Sequence, residues 1–181
     1  MKNQNSEIQY SNISSNTQSN NSIASTNLIS NKTEKPIFQL ADAFLSLAPM
    51  TDKKLQKLCY YAKAWYLALY DENIIPEDFE AWIHGAVQPD LYHKYKSYGY
   101  QTIPQQTDIS GIPEEYLSFA KEVYASYGHL SGNALEYLNH QEDPWKIARG
   151  SYQPWEICNN VIKEEDMKKY YRKLLNKNEQ A

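Results

Sequence analysis

The chain has 181 residues and a formal net charge of -4, long enough for one core without disulfide staples. Two cysteines, Cys59 and Cys158, are too few for a disulfide framework and stand in no metal-ligand spacing. The acidic balance gives nucleic-acid binding little support, and no apolar run approaches the roughly 20 residues that cross a bilayer.

Residues 1–35 hold eight asparagines and eight serines with scattered aliphatics, too little apolar surface to offset the entropy of ordering them, so a disordered arm is expected there. The same polar start lacks the apolar core of a secretion signal, and the cytoplasm is the expected compartment. Pro36 suits a first helical turn, and Ile37, Leu40, Ala41, Phe44 and Leu45 then mark one face of a helix ending before Pro49. Thr51 is placed to cap a long second helix that runs to about Tyr70, with Leu55, Leu58, Ala62, Trp65 and Leu69 on its core stripe. Asp71-Glu72-Asn73 and Pro76 break it, and Phe79–His84 reads as a short extended connector, with Gly85 taking a backbone conformation other residues resist. Pro89 opens a helix through Tyr98, residues 101–112 form a polar loop, and Pro113 opens a helix ending at Gly128. Ser131 caps a short helix through Leu138, and Glu164 to about Leu175 forms the last one. The pattern predicts a mainly α, compact helical bundle of about six helices over residues 36–176, with a flexible tail at 177–181.

Sixteen tyrosines and four tryptophans against four phenylalanines favour rings with a polar edge, which anchor protein interfaces. Tyr60, Tyr61, Tyr66 and Tyr70 cannot all share the core stripe of the second helix, so some are expected at its margin with wet hydroxyls. Tyr60, Tyr61 and Tyr66 with Lys57, and with Trp82, Tyr92, Tyr95 and Tyr98 in the next block, form the expected partner-binding face. The alternative for each ring is helix–helix packing, and for Trp65 packing is the expected role. His84, His140, Glu142, Trp145 and Arg149 make a candidate structural or recognition turn, in which His140 and Arg149 bond acids or carbonyls and Trp145 plugs into the core. No Gly-rich phosphate loop, nucleophile elbow or recognisable Cys-His pair is present, so neither catalysis nor a cofactor nor a metal is expected.

Lys54-Leu55-Gln56-Lys57-Leu58 with Tyr60-Tyr61 and Trp65, then Glu80-Ala81-Trp82 and His84-Gly85, then Val87, Pro89, Tyr92 and Tyr98-Gly99, form an ordered series of blocks. Ser131-Gly132, Leu135-Glu136, His140, Pro144-Trp145, Ala148-Arg149, Ile162, Asp166-Met167 and Tyr170-Tyr171 continue it. Over residues 36 to 175 the series resembles the Panacea domain, also called the SocA-like antitoxin domain, whose members often lie beside phage-associated genes. The resemblance implies a mostly helical antitoxin that neutralises a toxin encoded beside it by direct binding. It further implies toxins of several kinds, among them alarmone-synthetase-like enzymes that block translation by modifying transfer RNA, and a branch in which the domain is an adaptor delivering its toxin to a protease. Two positions depart from the usual pattern: Ala86 replaces a proline in Gly-Pro-Val, and Asn139 replaces a threonine before the histidine. Other readings are an accessory interaction protein and, with least support, a nucleic-acid-binding regulator.

Overall fold

The computed structural model describes residues 34–178, which form seven α-helices and two small antiparallel sheets. The expected arm lies, up to residue 33, outside the described residues, as do residues 179–181 of the expected tail. Helix α1, Pro36–Leu47, begins at its proline as expected. β1, Met50–Thr51, leads into α2, Asp52–Tyr70, where the Lys54 amide donates to the Thr51 hydroxyl at 3.4 Å. Asp71 ends α2 in the left-handed region with φ 63°.

The stretch expected to be only a connector is a hairpin. β2, Glu80–Trp82, pairs with β3, Gly85–Val87, in the register Glu80–Val87, Ala81–Ala86 and Trp82–Gly85. Three-residue strands give too little alternation to read, and the two-residue turn Ile83-His84 leads into Gly85, which takes φ 92°. Helix α3, Pro89–Tyr95, follows with a 3₁₀ turn at Lys96–Tyr98, and β4, Thr102–Ile103, pairs back to β1. Glu34 and Lys35, assigned to the arm, are tied to α3 by ion pairs to Lys94 at 2.8 Å and Asp90 at 2.6 Å.

Helix α4 is Glu114–Tyr127, α5 is Gly132–Gln141, α6 is Asp143–Arg149 and α7 is Glu164–Asn178. The seventh helix is α6: residues expected to form a turn make a helix of their own, started by Pro144 after a single extended residue, Glu142.

Helix α2 is the axis of the fold, packed by α1, α4, α5 and α7 and by the hairpin. It is therefore buried on nearly every side, and only some of its tyrosines reach the wet margin expected for them. Tyr60 and Tyr61 have no exposed surface. Tyr61 stacks on Tyr127 with centroids 4.2 Å apart, and Trp65 donates its indole N–H to the Tyr127 hydroxyl at 2.8 Å. Tyr171 of α7 meets Tyr60, Tyr61 and Trp65 edge-on. Tyr66 and Tyr70 behave as expected: the Tyr66 ring is covered with its hydroxyl bonded to Glu115 at the edge of the fold, and Tyr70 beside it is 44% exposed. Cys59 and Cys158 are both buried free thiols. No helix among the described residues is long and apolar enough to cross a membrane.

Candidate functional site

The first turns of α2 carry a polar stripe that does not reach solvent. Asp52, Gln56 and Lys57 share one face at helical spacing, and all three are buried. The hairpin and α3 cover them. Gln56 bonds both the amide and the carbonyl of Gln88, at 2.9 and 3.3 Å, and the Gln88 side chain in turn caps α3 through the Leu91 amide at 2.7 Å. Lys57 donates to the Ala86 carbonyl at 2.8 Å, and burial brings its ammonium pKa down to about 7. Asp52 moves the other way, its carboxyl raised to about 6 by the same loss of water, with the Lys57 charge opposing the rise.

Above this floor lies a cavity of about 410 Å³ whose walls include Trp82, Val87, Tyr92 and Tyr100. Trp82 meets Tyr92 edge-on at 5.1 Å and is held by Glu80, which accepts its indole N–H at 2.7 Å. His84 stands at the rim, where Glu136 joins it at 2.9 Å and holds Lys53 at 2.5 Å with its other oxygen. This volume and mixture, an aromatic wall over a few fixed polar groups, match what recognition pockets use.

The expected partner-binding residues therefore divide. Trp82 and Tyr92 are part-exposed and line the cavity, while Tyr98, also part-exposed, packs beside Tyr95 and is not in its lining. Lys57, Tyr60, Tyr61, Tyr66 and Tyr95 are buried, and the expectation that they contact a partner is corrected: Lys57 lies in the cavity floor and the four tyrosines pack within the fold. Tyr95, whose hydroxyl reaches Asp42 at 3.4 Å, joins α3 to α1.

The candidate turn divides as well. His140 stacks on Trp145 at 4.2 Å, and the Arg149 guanidinium lies over the Trp145 ring at 5.1 Å. Trp145 donates to the Trp82 carbonyl at 3.1 Å, so this stack supports the hairpin. Arg149 is buried and donates to the carbonyls of Ala81, Gln153 and Glu156 at 3.1, 2.6 and 2.9 Å, in the role expected for it. Burial lowers the His140 pKa. Glu142, however, faces the core. Its carboxylate accepts from Tyr61 at 3.1 Å, Tyr171 at 2.8 Å and Asn139 at 3.1 Å, and desolvation lifts its pKa to about 7.

The two departures from the family pattern meet in this network. The Ala86 amide, which a proline would lack, donates to Asn139 Oδ1 at 2.7 Å. Gly85 is required beside them, because a Cβ there would lie 2.7 Å from Lys57 Cε and 2.8 Å from Asn139 Oδ1. Gln88 was not picked out from the sequence, and Gln56 and Glu136 were named only within the family's blocks, with no role of their own. Gln56-Lys57 gave one signal, a polar pair inside an otherwise apolar helix.

Among the described residues no three His, Cys, Asp or Glu side chains gather as a metal site would require. What the structure defines is a mainly α domain with an aromatic-walled cavity over a buried polar floor. Residues 55–146, just over half of the chain, match the family model described as antitoxin SocA-like, Panacea domain, and the chain belongs to this family. The family carries an antitoxin-like role. No curated protein and no solved structure matches the chain.

Proposed function

We propose that this chain is the antitoxin of a toxin–antitoxin pair, and that it neutralises a cognate protein toxin by direct, non-catalytic binding. The observation that carries the reading is the family match across residues 55–146, the segment that builds α2, the hairpin, α3 and the cavity. The contact surface in this reading is the Trp82–Tyr92 wall with Tyr98, Tyr100 and His84. Interface anchors are typically aromatic side chains in a well-packed setting, and Trp82 is fixed here by Glu80, Tyr92 and Trp145. The toxin in this proposal blocks translation, and the site of action is the cytoplasm.

Co-expression with the protein encoded beside this gene tests the proposal, in a host lacking the main cytoplasmic proteases. Growth arrest by the neighbour alone, rescue by the pair and co-purification of a complex are the expected results. A toxic neighbour with neither rescue nor complex would overturn it, and rescue seen only when proteases are present would move the chain to the adaptor role.

A further inference from the structure

We infer that the segment 159–162 is an open sheet edge through which two copies of this chain pair. The hairpin has a third, very short strand. The Ala81 amide donates to the Asn160 carbonyl and the Ile162 amide to the Phe79 carbonyl, at 2.9 and 2.8 Å, and these bonds flank the bridge between Glu80 and Val161. In an antiparallel ladder this pattern turns the backbone N–H and C=O of Val161 away from β2. Those of Asn159, two residues earlier, point the same way, and the backbone groups of neither residue make a hydrogen bond within the described residues. The outer edge of β3 differs, since the Ala86 amide and carbonyl are closed by Asn139 and Lys57. Only the 159–161 side is left open, the feature that sheet proteins ordinarily cover or charge.

The same part of the chain presents large apolar side chains to water. Trp155 is 74% exposed and Ile157 79%, with Ile147, Tyr152 and Val161 each near half. Arg149 fixes this loop by its bonds to the Gln153 and Glu156 carbonyls, and Asn160 bonds the Ala148 carbonyl at 2.8 Å, so the side chains are held outward. A cleft of about 360 Å³ lined by Trp82, Ile83 and Ile157 adjoins the edge.

Two observations make a second copy the occupant. The edge is self-complementary: a two-fold axis through Asn160 sets Val161 opposite Asn159 of the second copy, and each such pair exchanges two backbone hydrogen bonds, four in all. The five exposed side chains offer on the order of 500 Å² per copy, taking roughly 200 Å² for an aromatic and somewhat less for an aliphatic side chain. Two copies would then cover about 1,000 Å², the area a biological interface has to clear. The result is a six-stranded sheet across the dimer.

Sedimentation velocity of the full chain over roughly 1–100 μM tests this, the range in which an interface of that size associates. The expected result is a shift from 21.1 kDa to twice that mass. Val161→Pro removes an outward N–H, and Ile157→Lys places a charge on a side chain with no part in the core. Each is expected to weaken association at least tenfold while circular dichroism stays unchanged. If Val161→Pro perturbs the fold, Ile157→Lys decides. A wild-type chain that stays at 21.1 kDa throughout overturns the inference, including one that instead takes up an extended segment of another protein. So does a dimer that Ile157→Lys leaves intact.

Discussion

Replacing Glu142 by glutamine should remove a pH dependence that the wild-type fold carries between pH 5 and 7. The carboxyl is buried, and desolvation lifts its pKa from 4.5 to about 7 against three hydrogen-bond donors that favour the ionised form. Between those two values the native state holds a proton that the unfolded chain has released. Stability to unfolding must then fall as pH rises through this window. At about 1.4 kcal/mol per unit the full loss is roughly 3 kcal/mol, a large share of a typical domain's stability. Glutamine keeps the shape, and its amide can donate to the Tyr61 hydroxyl, which is free to turn and accept. Asp52 acts in the same direction at lower pH, its carboxyl raised to about 6, and Lys57 opposes both above pH 7, because an amine lowered to about 7 stabilises the fold as pH rises. The difference between wild type and Glu142→Gln isolates the one group. Urea unfolding at pH 5, 6, 7 and 8 should show the variant gaining on wild type by roughly 3 kcal/mol across the series. A constant difference at every pH would refute the assignment of Glu142 as a buried titrating group.

Ala86→Pro should cost about 1–3 kcal/mol by stranding Asn139 Oδ1, and adding Asn139→Thr should recover part of it, so that a double-mutant cycle in thermal melts shows coupling above about 0.5 kcal/mol. Gly85→Ala should destabilise by about 1–3 kcal/mol, from its φ of 92° and a Cβ 2.7 Å from Lys57 Cε. Gly99→Ala, at φ 56° with nothing within 4 Å, should lose clearly less in the same melts. Arg149→Leu leaves three carbonyls without their charged donor and should cost about 3 kcal/mol or more, with faster amide hydrogen exchange at the Ala81 and Ile162 amides that zip the third strand to β2.

Local chemistry made most of the helices legible. Pro36, Thr51, Pro89, Gly128 and Ser131 sit at helix boundaries where capping and fixed backbone angles place them. The hairpin was hidden because its strands are three residues long, and α6 because one extended residue divides it from α5. The larger error concerned α2. Periodicity reports one preferred apolar face, whereas burial on every side depends on partners far along the chain: Glu142 for Tyr61, Ala86 for Lys57, and Glu164, 2.8 Å from Lys63. Tyrosine counts alone do not separate a ring that anchors a partner from one whose hydroxyl is satisfied inside. Trp82 and Tyr92 stay part-exposed beside the cavity, and the hairpin and α3 arrangement that puts them together had no sequence signal.

The most direct measurement is the affinity of the neighbouring gene's protein for this chain by isothermal titration, with wild type, Trp82→Ala and the buried control Tyr60→Phe. The account predicts that Trp82→Ala costs about 2 kcal/mol or more of binding while melting stays close to wild type, and that Tyr60→Phe binds as wild type does. Equal affinity for wild type and Trp82→Ala would contradict the central claim that the aromatic wall beside the cavity is where the partner docks.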